Sequence, residues 1–391
     1  MIQSPVFWLV LLGSVLVFWQ LPQRFRFGFL ALVSYAYLVS LEPVTVTILI
    51  GWVLIFFYIA PHAAGKHGRS GLVLPGLIGL SLSYLIYEKY LPGLLSTLSD
   101  GVQDHKILVP LGISYFTFKL IHYAVEVSRG NITDRSLSKF SAYIFLFPIF
   151  TAGPIERFDH FLANLQTRWQ RDTMVEGVMK IAYGMIKIFV LAKFVLADLY
   201  GIANPTHGDN LASMSSLHVW GFVILAYLYA YLDFSAYTDI AIGASRLFGI
   251  KIMENFRFPI IARNISDFWN RWHMTLARWC QSYVYMPVIA YTRNPYAAVY
   301  STFLVMGLWH GATAPWVMWG LYHATGVAVF TTLSRYKRRI GPDHMIYRFS
   351  SPIGIPLTFL FVSGSYAFST SDSGWLSIRI LLKLVGLNVD F

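Results

Sequence analysis

Residues 255–320 read NFRFPIIARNISDFWNRWHMTLARWCQSYVYMPVIAYTRNPYAAVYSTFLVMGLWHGATAPWVMWG. They hold two histidines, His273 and His310, in contrasting surroundings. His273 lies in a segment with several Arg and Trp residues, whereas His310 ends the apolar run AAVYSTFLVMGLW, where a polar imidazole is costly to place. This contrast indicates a reaction carried out inside a membrane protein, with the preceding part of the chain forming a wall around the two histidines.

The composition is that of a membrane protein. Of the 391 residues, 56% are hydrophobic and only 13% are charged, whereas soluble chains are about one-quarter charged. Aromatic residues make up 17%, which suits a protein that is anchored at two water–lipid interfaces. Basic cytoplasmic loops explain the net charge of +11 better than nucleic-acid binding does, because no Lys/Arg cluster accompanies a nucleic-acid-binding module. The single cysteine, Cys280, excludes an intrachain disulfide and a cysteine-rich metal site.

Apolar stretches recur along the whole chain and predict an all-α polytopic membrane protein. We expect about eleven membrane segments, some of them half-length or tilted, together with re-entrant or interfacial helices. No repeat, low-complexity tract or long polar stretch divides the chain. The prediction is a single membrane domain over residues 1–391, with N-terminal spans in 1–107, a core in 108–326 and C-terminal spans in 327–391.

The distribution of Lys and Arg predicts the orientation in the membrane. The first apolar run, residues 5–19, lacks a basic region before it and a cleavage site after it, so we expect a retained span rather than a signal peptide. The loops HAAGKHGRS (62–70), SRGNITDRSLSK (128–139) and SRYKRRIGPDH (334–344) are basic and are expected in the cytoplasm. This pattern places the N-terminus outside and the C-terminus inside.

The segment 265–280 has the periodicity of an amphipathic helix rather than of a span. Its apolar residues recur at helical spacing, and polar residues such as Asp267 and Arg271 fall on the opposite side. Asn264 is expected to cap this helix, and Asp267 and Arg271 are spaced for an ion pair. His273 lies at the edge of the apolar stripe. It is therefore either a site residue or an interfacial histidine on a membrane-surface helix.

Other polar residues also lie in apolar surroundings. Gly307 and Gly311 flank His310 and let another backbone or an acyl chain approach its imidazole. An intramembrane histidine is a functional candidate by default, and a structural hydrogen bond to a neighbouring helix is the alternative. Asp233 and Asp239, in YLDFSAYTDIAIG, either form ion pairs with Arg residues or take part in catalysis.

Several common catalytic motifs are absent. The sequence has no HExxH, P-loop, GxGxxG or GxSxG motif, which excludes the usual metalloprotease, nucleotide-binding and serine-hydrolase sites. His310 and His323 are not spaced as a metal pair, and no bound metal is expected. Two classes stay open. One is a membrane enzyme whose histidine takes a proton from a hydroxyl that attacks a thioester, and the other is a proton-coupled transporter that uses Asp233, Asp239 and the histidines as a relay.

Five motifs favour the enzyme by resemblance. GISYFTF, FPIFTAGPIERF, DFSAYTDIAIGASRLFGI, ENFRFPIIARNISDFWNRWHMTL and GLWHGATAPWVMWGLYH occur in this order within residues 108–326. Together they resemble the bacterial branch of the membrane-bound O-acyltransferase family, which includes alginate O-acetyltransferases and teichoic-acid D-alanyltransferases. The resemblance implies a ring of tilted helices around a thin centre, with a tunnel that joins a cytoplasmic donor to an extracytoplasmic acceptor.

The same resemblance assigns the site. His310, in the WHG motif, corresponds to the essential histidine of the family, and His273, in WNRWH, to the second histidine. We assign substrate binding to Asn270, Trp269, Trp309 and Asp233. No cofactor is expected to be bound permanently. The donor is an acyl thioester, either acetyl-CoA or an acylated carrier protein.

The expected reaction is transfer of an acyl group, acetyl by preference, to hydroxyls of an extracytoplasmic cell-envelope polysaccharide. The alternative is D-alanyl transfer to a teichoic-acid-like polymer, because the overall length and RNISDFWNRWHMTL are closer to the D-alanyl type, whereas DFSAYTDIAIG is closer to the acetyl type. The expected location is the bacterial inner membrane. The expected partners are the lipid bilayer, the cytoplasmic donor or its carrier protein, and the glycopolymer or a separate extracytoplasmic transferase, with no nucleic acid.

Overall fold

The computed structural model describes residues 2–64, 70–91, 112–203, 211–340, 345–371 and 373–387. Within these ranges the chain is helical and forms no strand, and one isolated bridge pairs Leu165 with Ile250. The all-α prediction is therefore confirmed for the described part of the chain. Helices occupy the apolar stretches because a segment surrounded by lipid must satisfy its own backbone hydrogen bonds.

The chain divides into two compact units, one formed by residues 1–184 and 237–253 and the other by residues 185–236 and 254–391. The single membrane domain over 1–391 stays a prediction. The first unit contains the α-helices Pro5–Gln20, Gln23–Leu41, Pro43–Ile59, Ser70–Lys89, Ile113–Ser128, Leu137–Phe145 and Phe158–Ala163, 3₁₀ turns at Ala60–Ala64 and Phe147–Ile149, and nearly all of Arg171–Met185.

An aromatic core fills the first unit. The ring centroids of Tyr123 and Phe140 are 4.1 Å apart, and Phe158 packs edge-on against both rings. Buried polar groups are satisfied there, since Lys119 Nζ donates to the Tyr143 carbonyl at 2.9 Å and Met253 N donates to the fully buried Glu156 carboxylate at 2.8 Å. These bonds offset the cost of enclosing polar groups among aromatic rings.

The second unit holds the stretch 255–320. Its helical segments are Ile186–Leu196 (π-helical), Ala197–Ala203, the larger part of Ser216–Leu247, Pro259–Ile261 (3₁₀), Ile265–Trp269, Met274–Cys280, Gln281–Tyr285 (π-helical), Met286–Thr292, Pro295–His310, Ala314–Ile340, Met345–Gly364, Tyr366–Ser369 and Gly374–Leu384. We refer to Pro295–His310 as the His310 helix and to Ala314–Ile340 as the His323 helix.

Four helices among the described residues are long and apolar enough to cross a membrane: Gln23–Leu41, Pro43–Ala64, Gly71–Lys89 and Ser216–Leu247. Shorter apolar helices are Pro5–Gln20, Leu137–Ile149 and Ile353–Ser369. Large apolar side chains on several of them are exposed, for example Leu9 at 71% and Leu32 at 65%, as expected for residues that face lipid. The helices fit a polytopic membrane protein, whereas about eleven segments and a helical ring stay predictions.

Two details of the sequence prediction were wrong. Residues 265–280 do not form one helix, because the chain breaks between Ile265–Trp269 and Met274–Cys280 and His273 adopts a left-handed backbone with φ 42°. The basic segment 334–344 was expected to be a loop, but residues 334–340 continue the His323 helix. Lys and Arg are good helix formers, so their charge does not end a helix. Residues 341–344 lie outside the described residues, as do 65–69 of the first basic loop.

The His310 and His323 helices pack closely because glycines line their contact. A Cβ on Gly307 would collide with the Trp316 carbonyl, and a Cβ on Gly320 would collide with the Phe303 carbonyl. The His310 helix is fixed at its start, where the Asn294 side chain accepts hydrogen bonds from Tyr296 N at 2.9 Å and from Ala297 N at 3.2 Å. The close backbone approach expected at Gly307 is thereby confirmed, and it places His310 next to the first turns of the following helix.

Candidate functional site

His310 is the last residue of its helix and lines a cavity of about 420 Å³ within the second unit. Its ring stacks on Trp316, with centroids 4.5 Å apart and planes 13° apart, and meets Trp319 edge-on at 5.3 Å. The side chain is exposed rather than buried. Aromatic rings therefore surround the imidazole, and it stays accessible because the helix ends at His310.

Aromatic rings, hydroxyl groups and one carboxylate surround this cavity, which we call the His310 cavity. The rings are those of Phe234, Phe268, Trp269, Trp272, Trp316, Trp319, His310 and His323, the hydroxyls belong to Tyr200, Tyr229, Tyr366, Ser365, Ser369 and Thr370, and the carboxylate is Asp233. A site of this composition offers flat apolar faces together with hydrogen-bonding groups. It suits a ligand that has both apolar faces and hydroxyls.

His273 lies outside the wall of the His310 cavity and is 2% exposed. Its Nδ1 is 3.0 Å from Asn255 Oδ1, which also accepts from the backbone N–H of Thr275 at 3.3 Å. Because that oxygen only accepts, His273 carries its proton on Nδ1 and leaves a lone pair on Nε2, which is buried without a hydrogen-bond partner among the described residues. The interfacial alternative does not fit a side chain this deeply buried.

The surroundings of His273 keep it neutral. Burial, followed by repulsion from the neighbouring His310, lowers the pKa of His273 to about 3. Its ring packs edge-on against Phe234 at 4.9 Å and against Trp309 at 5.9 Å, and Trp309 in turn meets the ring of His310 at 4.5 Å. Trp309 therefore contacts both histidines predicted from the sequence, and the wall of the His310 cavity does not include it.

His323 also lines the His310 cavity, although the sequence interpretation did not select it. It is 1% exposed, and its Nδ1 has no hydrogen-bond partner among the described residues. The ring meets Trp319 at 4.7 Å and Trp269 at 5.2 Å. A signal was present in the sequence, because Trp316, Trp319 and His323 recur at i, i+3 and i+7 and so share one helical face.

The two aspartates of YLDFSAYTDIAIG have different surroundings. Asp233 lines the His310 cavity, and within the described ranges it forms no ion pair, although the charge of Lys193 attracts it. Asp239 belongs to the first unit, where its Oδ1 is 3.2 Å from Lys180 Nζ. The ion-pair alternative is thus confirmed for Asp239, with Lys in place of the expected Arg, and not for Asp233.

A second cavity, of about 270 Å³, is lined by two of the residues assigned to substrate binding, Trp269 and Asn270. Asn270 lines this cavity and not the first one, whereas Trp269 lines both. Asn270 is exposed and donates to the Ser266 carbonyl at 2.9 Å. Of the four residues assigned to substrate binding, only Asp233 and Trp269 lie in the wall of the His310 cavity.

The break before His273 is held by the pair predicted from the sequence. Asp267 N donates to the capping Asn264 Oδ1 at 2.8 Å, and Arg271 Nε lies 2.8 Å from Asp267 Oδ1. Burial alone would raise the pKa of Asp267, but the hydrogen bond from Arg263 N and the ion pair with Arg271 hold that pKa below its usual range. Both the cap and the ion pair are therefore confirmed.

Comparisons with known proteins cover most of the chain. The family model described as MBOAT, membrane-bound O-acyltransferase family, matches residues 77–370, a range that contains His273, His310 and His323. The chain is 32% identical to the teichoic acid D-alanyltransferase of Bacillus subtilis, over 78% of the chain and 79% of that relative.

Relatives named for acetyl transfer are about as similar. The chain is 31% identical to the probable alginate O-acetylase AlgI of Pseudomonas putida over 78% of its own length, but it spans only 62% of the length of that relative. It is 28% identical to the peptidoglycan O-acetyltransferase of Helicobacter pylori, over 87% of the chain and 70% of the relative. The similarity therefore extends to proteins named for two different acyl groups.

Proposed function

The chain belongs to the membrane-bound O-acyltransferase family and is thus a membrane-associated acyltransferase, and on this premise we propose that it transfers an acetyl group to a cell-envelope polysaccharide. The observation that carries the proposal is the imidazole of His310, which is exposed in a cavity lined by aromatic rings and hydroxyl groups. The donor is a cytoplasmic acyl thioester, either acetyl-CoA or an acylated carrier protein. The acceptor is a hydroxyl on the outer side of the bacterial inner membrane.

His310 acts as the general base in this proposal. Its imidazole takes the proton of the acceptor hydroxyl, and the oxygen attacks the carbonyl carbon of the thioester. A C–O bond forms, the C–S bond breaks, and the protonated His310 returns a proton to the leaving thiolate. Stacking on Trp316 holds the ring in place, which keeps the base oriented towards the cavity.

The other predicted residues take supporting roles. The ring of His273 packs against Trp309, which in turn packs against His310, so His273 orients the base through Trp309. Asp233 accepts hydrogen bonds from acceptor hydroxyls in the His310 cavity. Asn270 and Trp269 contact the donor, because they line the second cavity and Trp269 is shared by both. A separate extracytoplasmic transferase completes the reaction where the glycopolymer itself does not reach the membrane.

D-alanyl transfer is the second candidate, and Asp233 favours it. A D-alanyl thioester carries an ammonium group, and the Asp233 carboxylate in the cavity wall is attracted by the charge of Lys193 but forms no ion pair within the described part of the chain. The relative from Bacillus subtilis, matched over 79% of its length, is named for D-alanyl transfer. The transporter alternative lacks such support, because the chain belongs to a family of acyltransferases.

Chemical identification of the ester distinguishes the candidates. The gene for this chain is deleted from its host, the wild-type chain is restored from a plasmid, and esters are released from the purified envelope polymers by mild base. We expect acetate to be released from wild-type and restored cells and to be missing from the deletion strain. Release of D-alanine in place of acetate would establish the second candidate, and identical ester content in all three strains would refute both.

A further inference from the structure

Two ring nitrogens of residues that line the His310 cavity are buried without a hydrogen-bond partner among the described residues. They are the indole Nε1 of Trp269 and the imidazole Nδ1 of His323, and no described residue is hydrogen-bonded to either. Buried polar atoms are nearly always satisfied, because an unmade hydrogen bond in a low-dielectric interior is costly. Two such atoms at one cavity indicate that a ligand satisfies them.

The two rings come from separate elements and meet next to the base. Trp269 ends the short helix Ile265–Trp269, and His323 lies in the middle of the His323 helix. Their ring centroids are 5.2 Å apart with planes at 81°. Trp319 contacts both of them, at 5.9 Å and 4.7 Å, and also contacts His310 at 5.3 Å. All four rings line the same cavity.

Trp269 has one further property, since it also forms part of the wall of the second cavity. The indole can therefore contact a group that is bound in either cavity. In acyl transfer the group shared by donor and acceptor is the acyl carbonyl. We propose that Trp269 and His323 form a hydrogen-bond donor pair for the acyl carbonyl oxygen. This inference rests on the proposed function and adds to it the residues that stabilise the transition state.

The reaction requires such donors at one atom. When the acceptor oxygen attacks, its proton moves to His310, the new C–O bond forms, and the electron pair of the carbonyl double bond moves to the carbonyl oxygen. The indole N–H of Trp269 and the N–H of a neutral His323 then stabilise this oxyanion. When the intermediate collapses, the C–S bond breaks and the thiolate takes the proton from His310. Neither Trp269 nor His323 gains or loses a proton in the cycle.

Substitutions at His323 distinguish three roles for this residue: donating a hydrogen bond, transferring a proton and filling space in the aromatic wall. Gln keeps an N–H donor but cannot take up a proton, whereas Phe fills the aromatic surroundings but has no N–H. We expect His323→Gln to keep acyl transfer within about tenfold of wild type and His323→Phe to lose about 10²- to 10³-fold, as removal of one oxyanion donor does. Trp269→Phe removes the indole N–H and keeps an aromatic ring, and we expect a loss of the same size.

Matched controls report on the substitutions themselves. Trp220→Phe removes an indole that donates to the Leu384 carbonyl at 3.0 Å. Tyr322 directly precedes His323, and Tyr322→Phe removes a hydroxyl that donates to the Phe361 carbonyl at 3.0 Å. Neither side chain lines the His310 cavity, so both variants should acylate as wild type does. Ester formation is measured in the deletion strain and divided by the amount of the variant in the membrane. Thermal melting of the purified chain shows whether each variant is folded. His323→Met is a second variant without a donor if His323→Phe melts early.

The outcomes are distinct. The donor pair is supported if the wild-type chain and His323→Gln are active while His323→Phe and Trp269→Phe lose acyl transfer. Full activity of both Phe variants would show that the rings only fill space, and it would overturn the pair while leaving the proposed function intact. A His323→Gln variant that is folded but as inactive as His323→Phe would show proton transfer by His323, which also overturns it. Absence of any ester in cells with the wild-type chain would overturn the proposed function and the donor pair together.

Discussion

His310 presents its imidazole to the cavity from the end of a helix, so its replacement removes a base without emptying a packed core. We expect His310→Ala to insert and fold normally and to lose acyl transfer by about 10²- to 10⁴-fold, the usual contribution of a general base. The measurement is the ester content of the envelope polymers in the deletion strain, at matched membrane levels of each variant.

His310→Gln makes this prediction specific, because Gln retains hydrogen-bonding groups and cannot take up a proton. We expect it to be as inactive as His310→Ala. The control is His218→Gln, the same substitution at an exposed histidine in the first turn of Ser216–Leu247, outside the wall of the cavity, and it should acylate normally. Full acylation by His310→Gln would remove His310 from the role of base and leave it a structural hydrogen-bonding residue.

At the residue scale, the sequence could predict that His310 and Asp233 are unusual, because each is a polar side chain at the end of an apolar run. It could not predict the burial of His273, which depends on Asn255, eighteen residues earlier, and on a turn that no periodicity describes. His323 was missed for another reason. Its spacing from His310 bears only on metal binding, whereas its place in the cavity depends on the helical face that it shares with Trp316 and Trp319.

Among the elements, the broken segment 265–280 shows where pattern and structure diverge. The cap at Asn264 and the pair Asp267–Arg271 depend on residues three and four apart, so a sequence predicts them well. The break depends on a distant residue, because the Asn255 carbonyl accepts from Met274 N at 2.9 Å and its side chain accepts from Thr275. Apolar periodicity continues through the break and cannot show it.

We expect Asp267→Ala to destabilise this element while leaving the chemistry intact. The carboxylate is half-buried and makes two interactions, with Arg271 Nε at 2.8 Å and with Arg263 N at 3.0 Å. Their loss should lower the free energy of unfolding by about 1–2 kcal/mol, the range for a helix cap together with a partly exposed ion pair. Thermal melting in detergent and folded yield measure the change, and acyl transfer per folded molecule should stay at the wild-type level.

The pH dependence of the melting temperature gives a control for the Asp267→Ala prediction. Because the pKa of Asp267 is lowered in the folded chain, its stabilisation is fully present above the unfolded pKa of about 4 and is lost as the pH falls through the folded value. The difference in melting temperature between wild type and Asp267→Ala should therefore shrink below about pH 4. Near neutral pH, Asp267→Asn should lose the ion pair with Arg271 as Asp267→Ala does, but its amide oxygen can still accept the hydrogen bond from Arg263 N. A folded Asp267→Ala protein without activity would instead make Asp267 a catalytic residue.

At the scale of the whole molecule, hydropathy predicted many of the helices among the described residues, because a segment surrounded by lipid is mostly apolar and must satisfy its backbone hydrogen bonds internally. It predicted helix ends less well. The His323 helix continues through the basic residues 334–340, since Lys and Arg favour helices even where they mark a membrane boundary. Conversely, the loop between Ile113–Ser128 and Leu137–Phe145 lies where the basic segment 128–139 predicted one.

The basic segments predict the orientation of the chain, and the prediction can be tested directly. Positively charged loops are retained on the cytoplasmic side during insertion, so the segments 62–70, 128–139 and 334–344 should face the cytoplasm and residues before the first span should face outward. The buried Cys280 is replaced by Ser, and single cysteines are placed at Gln3, Lys66 and Lys337. In intact spheroplasts a membrane-impermeant maleimide should label Gln3→Cys at once. Lys66→Cys and Lys337→Cys should react only after the membrane is permeabilised. Labelling of either Lys variant from outside, in a protein that still acylates the envelope, would contradict the predicted orientation, because a segment retained in the cytoplasm cannot react with an impermeant reagent.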